Sequence, residues 1–257
     1  MIARYAVPVE APVPGGATNA YVLGDDEHLL VDPAGRTPEL DDAANEVEHV
    51  AVTHTHPDHV DAVADYASEA DATVWAHASF PERFADATGV EPDRLFRPGD
   101  TIADTGVSVL ATPGHAPDHV AFVADDEAVT GDLVFADGSV FVGTPDGDVR
   151  TYLASLRRLL ARDFDTLYPG HGDPIRNPDE RIRETYFHRR DRERSVRAAV
   201  ESGAETVDEI LDAAYEKALG DARSLAAKVV RAHLQKLAVE GHVEWDGERA
   251  RPPADRQ

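Results

Sequence analysis

Hydrophobic and polar residues alternate along the chain in short runs that are separated by turn residues. Runs rich in valine, leucine and threonine predict β-strands, and they cover residues 20–23, 28–31, 49–53, 73–76, 107–112, 119–124, 128–130 and 166–168. Apolar residues spaced three to four apart predict helices over residues 39–47, 60–68 and 149–161. Many strands with interspersed helices predict an α/β protein in which a β-sandwich carries helices on its outside.

Residues 181–257 follow a different pattern. Their spacing predicts helices over 181–201, 207–214 and 225–240, followed by a hairpin of residues 242–245 and 248–251. Three helices followed by a small hairpin form the outline of a winged helix. A turn-rich stretch from Pro169 to Pro178 precedes them. We therefore predict a catalytic domain of residues 1–178 and a small, helical, winged-helix-like domain of residues 179–257.

The distribution of charge supports this division. The chain holds 49 acidic and 25 basic residues, for a formal charge of −24. Residues 181–257 hold 15 of each kind, so residues 1–180 hold 34 acidic and 10 basic residues and the whole net charge. A shift of this size is typical of a domain boundary or a change of partner.

The residue composition excludes several classes of protein. The chain has no cysteine, which rules out disulfides, thiolate metal ligands and a cysteine nucleophile together. With 42% hydrophobic residues it can bury an ordinary core. No run approaches the ~18–20 apolar residues of a membrane span, and the first 16 residues lack the features of a signal peptide. We expect a cytoplasmic protein with no membrane partner.

Lysine is scarce among the basic residues, of which three are lysines and 22 are arginines. An acid-rich, lysine-poor surface resembles those of proteins from salt-accumulating halophiles. Strong salt reduces self-repulsion, with a Debye length of only ~3 Å at 1 M. We predict a halophilic protein, and the alternative is an acidic protein of no special habitat.

A histidine-rich loop directly follows the predicted strand 49–53. The run from His54 to His59 places three histidines and Asp58 within six residues. Imidazole and carboxylate groups suit zinc, iron or manganese. Alternation along an extended loop directs His54 and His56 to one side, and after the bend at Pro57 the remaining two side chains can face a second ion. The spacing predicts a metal site.

Three further segments each end a predicted strand with a glycine beside a candidate ligand. They are Pro113-Gly114-His115, Gly131-Asp132 and Pro169-Gly170-His171-Gly172. Glycine permits the tight turn that brings the neighbouring side chain to the strand ends. Each segment alone is a weak signal, and their order after the histidine-rich loop makes the combination specific.

Together these segments resemble the five motifs of the metallo-β-lactamase-fold hydrolases over residues 15–175. The resemblance implies an αββα sandwich that binds two divalent ions, zinc or alternatively iron or manganese. The ligands that it implies are His54, His56 and His115 for one ion, Asp58, His59 and His171 for the other, and Asp132 bridging both. A water shared by two such ions has a pKa near neutrality and supplies hydroxide. Asp58 and Asp132 are the predicted catalytic residues, and Asp32 is predicted to orient a ligand histidine.

Differences between this sequence and known branches of the family narrow the range of possible activities. Without cysteine the chain is not a β-lactamase of the class with a cysteine ligand, and His56 stands where flavo-diiron oxygen reductases have glutamate. The 39 residues between Asp132 and His171 leave too little room for the domain inserted in long nucleases. The full second ligand set argues against persulfide dioxygenases. Val60-Asp61 replaces the small glycines of many relatives, which puts substrate access in doubt.

The segment Thr112–Val120 and the C-terminal tail are similar to a subgroup with a winged-helix extension, which includes a mitochondrial single-strand endoribonuclease. Within the first of these segments, His119 is either a support of the ligands or substrate-facing, or an ordinary strand-end histidine. The seven arginines between Arg181 and Arg197 either contact phosphate or pair with neighbouring acids.

Three functions remain open. The first is a glyoxalase-II-like dinuclear hydrolase of a small ester or thioester. Such enzymes hold glutathione with a basic and aromatic helical tail, which Tyr186, Arg189 and Arg190 could imitate, but the winged outline of this tail does not favour that role. The second is a metal-dependent endoribonuclease whose tail holds single-stranded RNA. The third is a nucleic-acid-binding module with a structural lactamase-like domain, although a structural zinc site would be closed by four ligands. The tail would otherwise serve as a lid or a homodimer surface.

Overall fold

Two β-sheets form the centre of the computed structural model, which describes residues 2–215 and 219–254. The first sheet has six strands in the order β1 to β6. These strands are Ile2–Pro8, Ala17–Leu23, Leu29–Val31, His49–Ala51, Thr73–His77 and Arg94–Phe96. The second sheet has four strands in the order β10-β9-β8-β7. In chain order these strands are Ser108–Ala111, Val120–Ala124, Glu127–Gly131 and Thr166–Pro169.

The α-helices lie on the outer faces of the two sheets and in the C-terminal region. They are α1 Pro38–Ala44, α2 Pro57–Val60, α3 Val63–Glu69, α4 Pro81–Thr88, α5 Val149–Leu160, α6 Pro178–Glu201, α7 Val207–Ala214 and α8 Arg223–Val239. Within the described residues, no helix combines the length and the apolar character that crossing a bilayer requires.

Hydrophobic packing arranges these elements in four layers. The inner faces of the two sheets share one cluster, in which Tyr21 and Leu29 of the first sheet pack with Phe122 and Val129 of the second. A second cluster joins the first sheet to α1 and α3, and a third joins the second sheet to α5. Each sheet buries both faces, and the predicted αββα sandwich is confirmed.

Strand direction gathers the strand-end loops at one edge of the sandwich. Strands β3 to β6 pair in parallel, and β10 pairs in parallel with β9. Strand β7 runs in the same direction as β9, because β8 lies antiparallel between them. The loops that follow β4, β7, β9 and β10 therefore meet, and these four loops carry every predicted metal ligand.

The predicted C-terminal helices and hairpin are present. Helices α6, α7 and α8 share a hydrophobic cluster, and the short strands β11 Glu244–Trp245 and β12 Ala250–Arg251 pair antiparallel. Ile182 of α6 and Ala232 of α8 also belong to the cluster around α5. The division at 178/179 into two domains stays a prediction, and residues 216–218 and 255–257 of the predicted second domain lie outside the described residues.

The sequence pattern missed three elements and merged two. Strand β1, helix α4 and strand β6 were not predicted; in α4 only Phe84 is buried, so the helix turns a single buried residue towards the core. The helix predicted over 60–68 consists of the end of α2 and most of α3. The helical backbone breaks between them at Ala62, whose φ of −108° and ψ of 13° lie outside the helical range.

One histidine of the C-terminal helices is buried without a polar partner. His233 of α8 is 0% exposed, and neither ring nitrogen has a hydrogen-bond partner among the described residues. Burial, together with the nearby charges of Arg189, Lys236, Arg192 and His188, lowers the pKa of His233 to about 3. The folded state therefore holds this imidazole neutral, and the charge of Lys236 is itself paired with the buried Glu193.

We expect His233 to make stability fall on acidification. Its pKa is about 3 in the folded protein and about 6.5 in the unfolded chain. The unfolded state binds the extra proton between these values, so the free energy of unfolding decreases as the pH falls below about 6.5. Between pH 7 and pH 4.5, the free energy of unfolding, measured with denaturant, should fall by about 2 kcal/mol less in His233→Leu than in the native protein. The control Val230→Ala should lower the free energy of unfolding by the same amount at both pH values. The expectation would be contradicted if acidification lowered the stability of all three proteins equally.

Candidate metal centre

The structure brings all seven predicted ligand side chains together at one edge of the sandwich. His54 and His56 lie in the extended segment after β4, and Asp58 and His59 lie in the first turn of α2, which Pro57 begins. The other three, which follow β7, β9 and β10 respectively, are His115, Asp132 and His171. Most of the seven are buried, while His56 and Asp58 are half-buried. The site is thus largely shielded from solvent, and His56 and Asp58 are its most exposed members.

Three imidazoles form the first group of potential ligands. Nε2 of His54 lies 3.1 Å from Nδ1 of His56, and Nε2 of His115 lies 2.8 Å from the same Nδ1. The three rings meet edge to face, with ring centroids 4.6–4.8 Å apart. This geometry presents three nitrogens to one point, as a tetrahedral metal site with an open fourth position requires.

Asp58, His59 and His171 form the second group, and Asp132 lies between the two groups. Nε2 of His171 is 3.5 Å from Oδ2 of Asp58. Oδ1 of Asp132 is 3.5 Å from Nε2 of both His59 and His171, and its Oδ2 is 3.7 Å from Nε2 of His115. One carboxylate thus directs one oxygen to each group, which is the position predicted for the bridging ligand.

The outward nitrogens of four histidines bind acceptors that fix the tautomer of each ring. His59 Nδ1 donates to Oδ2 of Asp32 at 2.9 Å. His115 Nδ1 donates to the carbonyl of Phe141 at 2.7 Å, and His171 Nδ1 donates to the carbonyl of Ala17 at 2.9 Å. For His54, Nδ1 lies 3.1 Å from Oγ1 of Thr53. That hydroxyl donates its hydrogen to Asp32, so its oxygen accepts from the ring.

In the neutral form of each ring, these contacts leave Nε2 without a hydrogen and facing the centre. Nε2 of His59, Nε2 of His171 and Oδ1 of Asp132 are buried and have no hydrogen-bond partner in the part of the chain that the structure describes. Buried polar atoms without partners cost free energy, and lone pairs this close together repel each other. A cation between them would remove both costs, so the donor set fits two divalent ions with imidazole and carboxylate ligands.

Neighbouring charges oppose the effect of burial at His171 and Asp132 and add to it at His54. Burial by itself would lower the pKa of His171, but Asp132 and Asp58 outweigh it and raise that pKa to about 9. Burial and the neighbouring histidines lower the pKa of His54 far below its ordinary value. Burial would raise the pKa of Asp132, yet His171 and His59 hold it well below its ordinary value. Asp132 is therefore a buried anion that a metal dication would neutralise.

Asp32 and His119 support the ligands directly. Asp32 is fully buried and, besides His59, accepts from the backbone nitrogen of Thr53 at 2.6 Å. It lies beside a candidate ligand histidine, as the sequence predicted, and its φ of 54° places it in the left-handed region. His119 Nε2 accepts from the backbone nitrogen of Asp132 at 3.1 Å. His119 is therefore a buried residue that holds the backbone of Asp132.

Sequence reasoning missed the residues around His56. Its Nε2 faces Oδ2 of Asp146 at 3.3 Å, and Arg83 donates to the same oxygen at 2.6 Å. Arg83 also donates to Oγ1 of Thr55, which donates to Asp118. These residues lie 28–90 positions apart in the sequence, and no local pattern links them. The carbonyls of Ala17 and Phe141 gave no signal either, because every residue has one.

A cavity of about 440 Å³ opens beside the metal centre. The residues that line it are Pro8, Val9, Glu10, Ala11, Ala34, Pro57, Asp58 and Asp61. The cavity therefore reaches the second group of potential ligands through Asp58. Among these described residues, small apolar side chains are combined with three carboxylates, and none is basic.

Comparisons with known proteins agree with this geometry. Residues 13–171 match the family model described as the metallo-beta-lactamase superfamily. The thioesterase pkgB of Emericella nidulans is 33% identical over 195 residues, which cover 70% of this chain and 53% of that protein. This chain thus spans about half the length of that relative.

Two solved structures are also similar. The metallo-beta-lactamase family protein TTHA1429 from Thermus thermophilus aligns over 98% of each chain, with a TM-score of 0.77 and 25% identity. TTHA1623 in a di-iron-bound form aligns over 68% of this chain and 96% of its own, with a TM-score of 0.56 and 28% identity. Because the family model covers more than half of the residues and carries all five motifs, the chain belongs to the metallo-β-lactamase superfamily and is one of its hydrolases.

Proposed function

We propose that the protein is a dinuclear metal-dependent hydrolase of a small ester or thioester. The observation that carries this proposal is the convergence of inward-facing ring nitrogens and the Asp132 carboxylate on two neighbouring points. The ligand groups are His54, His56 and His115 for one ion, Asp58, His59 and His171 for the other, and Asp132 bridging both. The imidazole-rich set favours zinc, with iron or manganese as alternatives.

Two bound dications would supply hydroxide near neutral pH and polarise the carbonyl under attack. Residues of the chain would position the ions and move the proton that this reaction requires. Asp132 lies between the two ligand groups and is shielded from solvent, so its charge interacts strongly with both groups. Asp58 borders the cavity, and its side chain is 19% exposed. It is therefore placed to pass a proton to the leaving group, while the five imidazoles are held by their outward partners.

The cavity supports a small carbonyl substrate. Its volume of about 440 Å³ fits an acyl group, and thioesterase pkgB is a thioesterase by name. Glu10 and Asp61 give the wall a negative charge, which repels the phosphates of RNA. The endoribonuclease alternative therefore has less support than the thioester proposal. Roles of the winged-helix-like tail in RNA binding or dimerisation stay predictions, as do the halophilic character and cytoplasmic location.

The test is an activity screen of the metal-free protein reloaded with zinc, iron or manganese. We expect hydrolysis of acyl thioesters or esters that rises until two equivalents are bound, and little cleavage of unstructured RNA. The chelated protein should be inactive in the same buffer, with molar salt included as one condition. Cleavage of RNA without thioester turnover would favour the endoribonuclease. Nucleic-acid binding by the metal-free protein without hydrolysis would overturn the enzymatic proposal.

A further inference from the structure

His56 differs from the other four histidines of the centre. The others direct Nε2 inward and bind an acceptor through Nδ1. His56 directs Nδ1 inward, 2.8 Å from Nε2 of His115, and turns Nε2 towards Asp146 at 3.3 Å. It is also more exposed than these four rings, with 25% of its side chain accessible. Its orientation therefore depends on a partner at the open side of the pocket.

Arg83 of α4 holds that partner in place. Its Nη2 donates to Oδ2 of Asp146 at 2.6 Å, and its Nη1 lies 3.4 Å from Oδ1. This two-point contact fixes the plane of the carboxylate. The guanidinium of Arg83 thus forms an ion pair with the carboxylate of Asp146. An ionised carboxylate only accepts hydrogen bonds, so Nε2 of His56 carries the hydrogen and Nδ1 is left with its lone pair.

The same arginine also fixes the backbone between two ligands. Its Nε donates to Oγ1 of Thr55 at 2.8 Å. Thr55 in turn donates to Oδ2 of Asp118 through Oγ1 at 2.7 Å and through its backbone nitrogen at 3.0 Å. Thr55 stands between His54 and His56 in the sequence, so the contact restrains both ligands. One guanidinium thus connects the histidine-rich loop with the loop that carries Asp146.

We propose that Asp146, held by Arg83, is the positioning residue that sets the tautomer and orientation of His56 and thereby the affinity of one metal site. This inference rests on the proposed two-metal centre. Asp146 bonds to His56, a member of the first ligand group, and its other bonds within the described residues go to Arg83 rather than to the second group. Its loss should therefore weaken one site selectively. Outer partners of ligand histidines change metal affinity by about 10–100-fold when they are removed.

The experiment titrates the metal-free full chain with Co²⁺ in competition with a chromophoric chelator and records the visible absorption bands of each bound equivalent. For Asp146→Ala we expect about 10–100-fold weaker binding of one equivalent, with altered bands for that equivalent alone. Asp146→Asn keeps a carbonyl oxygen that can accept from Nε2, so it should recover much of the affinity and the native bands. A general loss of folded structure would weaken both cobalt equivalents alike and would not affect one of them selectively.

Asp41→Ala is the matched control, because Asp41 pairs with Arg36 at 3.0 Å and the pair is similarly exposed. It should bind both equivalents as the native chain does. Native affinities and bands in Asp146→Ala, or equal weakening of both equivalents, would overturn the proposal, as would an Asp41→Ala effect of the same size. If Asp146→Ala cannot be purified, Arg83→Gln carries the same test with the same outcomes. A native chain that binds no cobalt would instead defeat the proposed function.

Discussion

Replacing Asp132 with asparagine should lower kcat/KM for a thioester by at least about 10³-fold, equivalent to roughly 4 kcal/mol of transition-state stabilisation. Oδ1 of Asp132 faces His59 and His171, and Oδ2 faces His115. Asparagine preserves the volume but replaces one oxygen with an NH₂ donor and removes the charge. One ligand group would then face a donor in place of an acceptor, and the bridge between the two ions would be lost.

Steady-state kinetics and elemental metal analysis of the same preparation check this expectation. We expect the metal content to fall from two equivalents to one or fewer as activity is lost. Asp137→Asn is the matched control, since it makes the same chemical change at an exposed carboxylate five residues further along the chain. It should retain native kinetics and metal content. An Asp132→Asn protein with native kcat/KM and two ions would disprove the bridging role.

The ligand positions were predictable because the chemistry was concentrated at strand ends. The run from His54 to His59 is itself a local pattern, and Gly131 and Gly170 mark the turns beside Asp132 and His171. The fold followed from the same strands, since each must bury both of its faces in a layered protein. Each predicted ligand therefore lies within reach of at least two others in the structure.

The supports of the ligands were less predictable. Asp32 was identified because it ends a strand, as the motif requires, whereas Asp146 and Arg83 belong to a loop and a helix with no such signal. The interaction of His56 with Asp146 spans 90 residues, and it arises only when the layers assemble. A polar tertiary contact of this kind depends on the final packing rather than on local propensity, so sequence patterns alone do not predict it.

The close approach of the backbone to the metal centre gives a second large expected effect, at Gly170. A Cβ atom added there would lie 2.4 Å from Oδ1 of Asp132 and 2.8 Å from Cε1 of His59. The backbone cannot easily retreat, because Gly170 donates to Gly131 at 2.8 Å and accepts from Asn19 at 2.7 Å. The ligand side chains must therefore move. Forcing extra atoms into a packed site costs typically about 1–3 kcal/mol.

We expect Gly170→Ala to lower kcat/KM by about 10²-fold or more, because displacement of reacting groups by about 1 Å can have an effect of this size. Metal analysis and thermal unfolding with and without added metal would separate ligand displacement from general destabilisation. Gly89→Ala is the control, since its φ of 71° imposes backbone strain while no atom of the described residues lies within 4 Å of the added Cβ. It should lose about 1 kcal/mol of stability and retain its kinetics. If Gly170→Ala kept native activity and both ions, the pocket would be wide enough to accept a methyl group, and the tight spacing of Asp132 and His59 would not be required for catalysis.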